Sequence, residues 1–446
     1  MIRFLSFIVV ALALFALPND RAVAAAEIQE VTTPGGVTFW MVEERAIPIL
    51  SIQIAFRGGA SLERSEEQGL ANLLTSTLDE GAGPYDAQAY AARAEEIAAR
   101  IGFSSDRDTL RVSASMLIER RDETLELLRL ALTEPRFDPE PLARVKAQIQ
   151  SGLKQDEVDP DAMASNAWFS AKFPSDAYGR KASGTPETVE AFTAEDLRGI
   201  MPRLINRSDM YVGVVGAISA EEVAPLLDAL LGDLPAGPPE GASGAPDAVT
   251  MTDRSGIEVI DFDAPQSTVL FGHDGPLRDD PDFIPAFVMN YILGGGGFAS
   301  RLTVEVREKR GLAYGVYSYL APLDRSGLYL GGVATANERV SDSIDVIRDE
   351  WRRMAEEGVS EEELDRAKRY LTGAYPLRFD SNGKIARFLV GAQLEDLPID
   401  YIETRNELVE AVTVDDIKRV AAKWMDPNQL YFVVVGKPEG LASSSN

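Results

Sequence analysis

Arg307 and Tyr314 are the two side chains in this sequence whose types and spacing most suggest chemistry. They lie in the run V-R-E-K-R-G-L-A-Y. Ser300 is predicted to cap a helix that runs to about Lys309, and Gly311 suits the position just past a helix end. A strand is predicted to begin at Tyr314, so the guanidinium and the phenol hydroxyl can converge at one helix-to-strand corner. The same residue types are also common where a basic helix face is solvated and a tyrosine ring is packed against the protein. A functional corner and this purely structural interpretation both stay open here.

Four consecutive glycines precede this corner and predict a loop whose backbone can adopt angles that other residues avoid. They are Gly294, Gly295, Gly296 and Gly297. No Lys-Ser/Thr pair follows them, as a P-loop would require, and no strand-turn-helix unit with a downstream acidic residue supports a dinucleotide site. The segment is therefore interpreted either as a loop that faces substrate or as a simple hinge.

The composition limits metal and nucleophile chemistry, because the chain has one histidine and no cysteine. Catalytic zinc is usually held by at least two imidazoles, or by an imidazole and a thiolate, so this chain alone cannot build such a site. Disulfides, iron–sulfur clusters and a cysteine nucleophile are excluded as well. No G-x-S-x-G nucleophile elbow is available to partner His273, which we interpret as a locally hydrogen-bonded structural residue.

The charge balance excludes nucleic acid or anionic lipid as the main partner of the surface. The chain of 446 residues carries 44 Lys and Arg against 71 Asp and Glu, a net charge of −27. With 45% hydrophobic and 26% charged residues it is typical of an ordinary globular protein. Its length predicts two or three domains.

The first 26 residues are predicted to be a signal peptide. Arg3 supplies the positive charge, residues 4–17 the apolar stretch, and the alanines at 22–26 a cleavage site near residues 24–26. Fourteen residues fall short of the ~20 that span a bilayer. We therefore expect an exported, periplasmic protein without a membrane span after cleavage.

An internal repeat predicts two similar domains. The segment Thr193-Ala194-Glu195-Asp196-Leu197 recurs as Thr413-Val414-Asp415-Asp416-Ile417, and a following apolar strand ends in glycine in both copies, at a constant offset of 220. A Pro/Gly/Ala-rich linker, residues 234–252, separates a first domain at 27–233 from a second at 253–440. The predicted fold class is α+β, with each domain a mostly antiparallel sheet packed against helices.

Apolar periodicity predicts individual elements in both halves. Strands are expected at residues 47–56, 110–116, 267–272 and 327–333. Helices are expected at residues 86–101, 121–133 and 340–357.

Residues 294–319, with the upstream run G-H-D-G-P-L-R-D-D-P-D at 272–282, resemble the second domain of the insulinase/pitrilysin metallopeptidase family, nearest its bacterial and mitochondrial-processing-peptidase-like members. The motif S-R-L followed by V-R-E-K-R-G-L-A-Y carries this resemblance. It implies two similar α+β domains per chain, pairs of chains that enclose a chamber, and an inverted zinc motif H-x-x-E-H in the first domain of an active subunit.

This sequence departs from that zinc motif. Asn72, Thr75 and Ser76 stand where the resemblance places the two histidines and the glutamate, and Gly152 stands near the position of the third ligand. The resemblance therefore implies no metal or other cofactor in this chain and zinc on a partner subunit. It also implies that Arg307 and Tyr314 correspond to the family's Arg and Tyr that complete the site from the opposite domain.

The leading hypothesis is a zinc-less subunit that binds peptide substrate, is inactive alone, and supplies Arg307 and Tyr314 to a homologous H-x-x-E-H-bearing partner in a heterodimeric zinc endopeptidase. A purely structural or scaffolding subunit is the main alternative. A third possibility is an independent enzyme with a metal bound only by carboxylates.

Overall fold

The computed structural model describes residues 27–242 and 249–445 of the chain. The predicted signal peptide, residues 1–26, lies outside the described residues, as does the middle of the predicted linker. The described linker residues, 234–242 and 249–252, contain no helix or strand.

The strands of the first half are β1 (Gln29–Thr32), β2 (Thr38–Glu43), β3 (Ile49–Arg57), β4 (Gly81–Ala82), β5 (Tyr85–Asp86), β6 (Arg100–Ser105), β7 (Thr109–Leu117) and β8 (Met210–Gly216). Its helices are α1 (Leu70–Thr75), α2 (Ala87–Glu96), α3 (Arg121–Thr133), α4 (Pro139–Asp156), α5 (Pro160–Lys172), α6 (Pro186–Ala191), α7 (Ala194–Leu204) and α8 (Ala220–Leu231).

The strands of the second half are β9 (Gly256–Asp261), β10 (Gln266–Asp274), β11 (Ala313–Leu323), β12 (Ser326–Ala336), β13 (Tyr431–Gly436) and β14 (Ser444–Ser445). Its helices are α9 (Phe283–Asn290), α10 (Val340–Glu357), α11 (Glu361–Gly373), α12 (Asn382–Leu394), α13 (Tyr401–Ala411) and α14 (Val414–Trp424).

The two large sheets have the same topology, which confirms the predicted α+β fold with two similar halves. The first has the order β1-β2-β8-β3-β7-β6 and the second β11-β12-β10-β13-β9-β14. Five strands correspond in space, so that β2, β8, β3, β7 and β6 match β9, β13, β10, β12 and β11. In each sheet one pair is parallel, β2 with β8 and β9 with β13, and the other pairs are antiparallel.

The repeated threonines are equivalent helix caps. The hydroxyl of Thr193 donates to Asp196 at 2.7 Å at the start of α7, and that of Thr413 donates to Asp416 at 2.6 Å at the start of α14. Each aspartate also accepts the backbone N–H of its threonine. These capping boxes satisfy N–H groups that a helix start leaves free, which is why the same short motif begins the same helix twice.

The halves exchange one helix each. α5 belongs to the first half of the sequence but packs on β10 and β13 of the second sheet, where Trp168 and Phe173 are fully buried. α12 belongs to the second half but packs on β3 and β8 of the first sheet through Ala386 and Leu389. A cut at the linker would therefore leave each sheet without one of its covering helices.

Most predicted elements are present, and one helix is corrected. The four strand predictions fall inside β3, β7, β10 and β12 to within two residues, and α3 and α10 have the predicted limits. The helix expected at 86–101 was wrong at its end, because the backbone of Ala98 turns to a φ of 52° and residues from Arg100 pair with β7 as an edge strand. The strands that were not predicted are β1, β2, β4, β5, β6, β9 and β14.

None of the helices in residues 27–242 and 249–445 combines the length and the apolar character needed to cross a membrane.

Candidate functional site

A short helical segment and an edge strand position Arg307 and Tyr314. Ser300 caps the segment, since its hydroxyl oxygen accepts from the backbone N–H of Thr303 at 3.4 Å. Gly311 follows the helical turns with a φ of 60°, as expected for a residue just past a helix end, and β11 begins two residues later. The predicted corner is therefore present.

The segment is not a regular α-helix, which corrects the expectation from sequence. Residues Thr303–Glu308 form a π-helical turn, closed by a 2.9 Å hydrogen bond from Lys309 N to Val304 O. A second π-helical turn covers Tyr291–Gly295 before the segment. Such π-helical turns are rare, and they are found often at functional sites.

The guanidinium of Arg307 lies between two exposed aromatic rings. Its central carbon is 4.8 Å from the ring centroid of Phe298 and 4.9 Å from that of Tyr314. Phe298 is 71% exposed and Tyr314 is 85% exposed. Cation–π attraction holds the arginine in place while leaving its N–H donors available.

The neighbouring basic residues have acidic partners, whereas Arg307 has none. Lys309 and Arg310 both bond to the carboxylate of Glu305, at 2.7 and 2.5 Å. Among the described residues, Arg307 has neither an ion pair nor a side-chain hydrogen bond, and its only side-chain contacts of note are the two rings. Lys309 and Arg310 thus form ion pairs on the helix surface, whereas Arg307 is left free to bind a ligand.

Arg301 anchors the segment to the helix layer behind it. Its guanidinium donates to the carboxylate of Glu363 at 2.7 and 2.8 Å and to the carbonyl of Gly358 at 2.9 Å. Burial acts to raise the pKa of Glu363, but the hydrogen bonds from Arg301 and Ser360 outweigh it and lower that pKa to about 2. The pair stays ionised and fixes the turn that carries Arg307.

The four glycines are not the open loop that the sequence predicted. Gly294 and Gly295 belong to the first π-helical turn, and a Cβ on Gly294 would lie 2.2 Å from the hydroxyl of Ser318 in β11. A Cβ on Gly296 would lie 2.7 Å from the carbonyl of Tyr291. Only Gly297 requires glycine for its backbone angle alone, with a φ of 56°. Close packing, against β11 at Gly294 and against Tyr291 at Gly296, explains part of this run, and its role in binding substrate stays a prediction.

A row of exposed tyrosines continues from Tyr314 along β11. Tyr317 and Tyr319 point to the same side of the strand and stack with ring centroids 6.1 Å apart. Beside Tyr314 and Tyr317 lies a cavity of about 540 Å³, which Asp161 at the start of α5 also lines. Burial, with a smaller contribution from Asp161, raises the pKa of Tyr317. The exchanged helix thus forms one wall of the space next to the Arg307–Tyr314 pair.

The degenerate zinc-motif positions lie in the other half, on α1 and α4. The hydroxyls of Thr75 and Ser76 donate back to carbonyls of their own helix, at 3.1 and 2.7 Å. Gly152 is exposed, and a Cβ there would meet no other atom within 4 Å. The side chains at the four positions are thus the amide of Asn72, two hydroxyls and the hydrogen of a glycine. These groups do not fit the nitrogen and carboxylate ligands that zinc prefers. Over the part of the chain that the structure describes, no group of three or more His, Cys, Asp or Glu could hold a metal ion.

One buried acid near α1 was missed by sequence reasoning. Glu63 accepts the backbone N–H groups of Gly69 and Ala71 at 2.9 and 2.7 Å, at the start of the helix. Burial raises its pKa to about 7, against the opposing effect of the two N–H donors. Glu63 is one of three glutamates in the polar stretch at residues 63–68, which gave no sequence signal of this burial.

His273 is a structural residue. It is 1% exposed, its Nδ1–H donates to the carbonyl of Asp274 at 2.5 Å, and its Nε2 accepts the indole N–H of Trp351 at 2.9 Å. Burial lowers the pKa of the imidazole, which is consistent with the neutral tautomer that these bonds require. Both ring nitrogens are occupied, so neither can serve as a base or a metal ligand.

Known proteins resemble both halves. The family model described as "Insulinase (Peptidase family M16)" matches residues 41–185, and the model described as "Peptidase M16 inactive domain" matches residues 191–371. The "Non-peptidase homolog YmxG" of Helicobacter pylori is 27% identical over 88% of this chain and 90% of its own length. The "Probable mitochondrial-processing peptidase subunit beta" of Arabidopsis thaliana is 23% identical over 95% of this chain and 81% of its own length.

Among solved structures, a "peptidase M16 inactive domain" from Pseudomonas fluorescens superposes with a TM-score of 0.86 at 27% identity. The match covers 94% of this chain and 99% of that one. The shared topology, the resemblance of residues 294–319 and the two family models agree, and this chain belongs to the insulinase family of peptidases, family M16.

Proposed function

We propose that this chain is a zinc-less subunit of a heterodimeric zinc endopeptidase, in which it binds the peptide substrate and completes the active site of an H-x-x-E-H-bearing partner. The observation that carries the proposal is the half-buried Arg307 side chain, whose guanidinium lies between the exposed rings of Phe298 and Tyr314 without an acidic partner among the described residues. The two cation–π contacts contribute only about 0.5 to 1 kcal/mol each to folding, which is little reason to keep a cation without an acidic partner between two exposed rings. A ligand that binds there is a stronger reason.

The lack of a zinc site supports the non-catalytic part of the proposal. The positions of the motif carry Asn72, Thr75 and Ser76, and the hydroxyls of the last two are used within their own helix. The relatives include a chain named a non-peptidase homolog and a structure named an inactive domain. A relative named as one subunit of a processing peptidase supports assembly with a second chain.

Arg307 and Tyr314 have complementary roles in this proposal. The guanidinium binds a substrate carbonyl or carboxylate with forked hydrogen bonds and holds the peptide in register. The phenol hydroxyl donates to the oxyanion of the tetrahedral intermediate, which forms when the peptide carbonyl is attacked. Zinc held by the partner's H-x-x-E-H motif would supply the activated water. The predicted signal peptide supports a periplasmic location for the proposed assembly.

The test is peptide cleavage by the purified mature chain, alone and mixed with a homologous H-x-x-E-H subunit, with the zinc content of each measured. We expect activity only in the mixture and zinc only on the partner. Tyr314→Phe should lower kcat by ~10²-fold, as loss of an oxyanion donor does. Arg310→Ala is the matched control for Arg307→Ala. Because Arg310 is already paired with Glu305, we expect its loss to change kcat by less than about twofold.

Three other outcomes would contradict the proposal. Cleavage by the mixture that is unchanged by Arg307→Ala and Tyr314→Phe together would favour a scaffolding subunit. Chelator-sensitive activity of this chain alone would identify an independent metalloenzyme with a carboxylate site. Absence of any complex with an H-x-x-E-H subunit would remove the partner from the proposal altogether.

A further inference from the structure

A second, larger cavity lies at the junction of the two halves, beyond the tyrosine row. It has a volume of about 830 Å³ and lies between α9, α13, the end of β11 and the exchanged helix α12. Tyr319 lines it, and at about 3.3 Å per residue it begins ~17 Å along the strand from Tyr314. A bound molecule would contact elements packed on both sheets.

The lining is strongly basic although the chain is strongly acidic. Six cationic side chains line the cavity against one acidic side chain, whereas the whole chain has 44 basic and 71 acidic residues. The cations are Arg111, Arg278, Arg378, Lys384, Arg387 and Arg405, and the acid is Glu395. Concentrated positive charge in a concave site attracts anions. The cavity carries this positive charge although the chain as a whole is strongly negative.

Two of these arginines are unpaired. Among the described residues, neither Arg378 nor Arg387 forms a hydrogen bond or an ion pair through its guanidinium, and both are exposed. Arg278 is held instead by the hydroxyl of Tyr401 at 2.9 Å and by the ring of Phe283, 4.4 Å from its central carbon. The donors of the unpaired arginines are therefore available for a ligand.

The uncharged lining is largely aromatic and aliphatic, and one of its polar groups has no hydrogen-bond partner among the described residues. Tyr375 is 6% exposed, and its hydroxyl has no hydrogen-bond partner within residues 27–242 and 249–445. Its ring lies 4.6 Å from the central carbon of Arg405 and stacks edge-on against Phe379. A ligand that suits this wall carries both negative charge and an apolar or aromatic group.

α12 shows why the cavity has this character. One face of the helix, with Ala386 and Leu389, is buried on the first sheet. Lys384, Arg387 and Phe388, at helical spacing on another face, line the cavity. A helix that only covered the sheet would need no basic residues on this face.

We propose that this cavity binds an acidic peptide segment that contains an aromatic or apolar side chain, at a distance along β11 from the Arg307–Tyr314 pair. The inference rests on the proposed function, because it assigns part of the peptide substrate to a second binding site on the same chain. Peptide is favoured over a small anion because the site combines six cations with an extended aromatic wall that continues to Tyr314.

The test measures binding of a fluorescent short peptide, in which glutamates flank one phenylalanine, to the full mature chain without a partner. The comparison peptide has glutamines in place of the glutamates. We expect the acidic peptide to bind about tenfold more tightly and its affinity to fall with added salt. Arg378→Glu with Arg387→Glu should abolish the difference in affinity between the two peptides.

The matched control is Arg352→Glu with Arg366→Glu, which makes the same charge change on exposed, ion-paired residues of α10 and α11. Equal binding of the two peptides, or an equal loss in the control pair, would overturn the proposal. Binding of anionic vesicles but not of the acidic peptide would assign the cavity to lipid instead and overturn it too. Since no partner is present, this result is independent of whether Arg307 and Tyr314 support cleavage.

Discussion

The indole N–H of Trp168 donates to the backbone carbonyl of Tyr431 at 3.2 Å, across the junction of the two halves. Trp168 lies in α5 of the first half, and Tyr431 begins β13, the central strand of the second sheet that pairs with β10 and β9. The indole is fully buried and contacts the ring of Phe169 edge-on at 5.2 Å. The core of the second sheet is therefore incomplete without a helix that precedes the linker.

We expect Trp168→Ala to lower the free energy of unfolding by about 3 to 5 kcal/mol, because it empties a buried site and removes the hydrogen bond to the Tyr431 carbonyl. Both halves should still unfold in one transition, which urea unfolding followed by circular dichroism and by tryptophan fluorescence would show. Val158→Ala, at a site 56% exposed, is the control and should change stability by less than about 0.5 kcal/mol. Two separate transitions in the wild-type chain would contradict the coupling.

Phe298 should contribute to the site through Arg307. Phe298→Ala removes one of the two rings that hold the guanidinium, and an exposed cation–π contact is worth about 0.5 to 1 kcal/mol. We expect kcat/KM of the proposed complex to fall about two- to fivefold, with a change of at most about 2 °C in the melting temperature of this chain. Ile47→Ala, also at an exposed apolar position, should leave both unchanged. A loss as large as that of Arg307→Ala would mean that Phe298 itself contacts substrate.

His273→Ala should affect stability and not activity. The substitution leaves the buried indole N–H of Trp351 without an acceptor and opens a cavity, so we expect a loss on the order of 3 kcal/mol in the free energy of unfolding. Because burial lowers the pKa of this imidazole, only the unfolded chain takes up a proton as pH falls below about 6.5, and the wild-type contribution of His273 should decrease there. Cleavage per folded complex should not change, and a selective loss of cleavage would contradict the structural role.

The Arg307–Tyr314 corner could be predicted from sequence because its signals are local. A capping serine, a glycine just past the helix and an alternating strand fix which residues lie at the turn. The sequence also predicted that His273 is structural, which its two hydrogen bonds support.

The exchanged helices and the basic cavity could not be predicted in this way, because they depend on long-range packing. Nothing in the local pattern of α5 or α12 tells which sheet each will cover, since both sheets offer similar apolar faces. The six cations of the cavity come from five separate elements and loops, and only the folded chain brings them together. The glycine run was misread for a related reason, as close packing against β11 and not an open loop explains Gly294.

The burial of the Glu63 carboxyl predicts the direction in which its contribution to folding stability changes with pH. Its pKa is raised to about 7 in the folded chain, against about 4.3 in an unfolded one, so the native state holds an extra proton between these values. The contribution of Glu63 to stability is therefore complete below about pH 4.3 and is lost as pH rises through about 7. Asp108, whose pKa burial raises to about 6, titrates in the same range, so only a difference between variants isolates Glu63.

Glu63→Gln removes this titration and keeps an oxygen that can accept an N–H from Gly69 or Ala71. Relative to the wild type, the variant should gain stability as pH rises from about 5 to 8, by about 3 kcal/mol at most. Urea unfolding at several pH values in this range measures the difference, and Glu66→Gln is the control, because that side chain is 70% exposed on the same turn. Parallel curves for wild type and Glu63→Gln would show that the Glu63 carboxyl is ionised throughout and that the N–H donors at the start of α1 outweigh its burial.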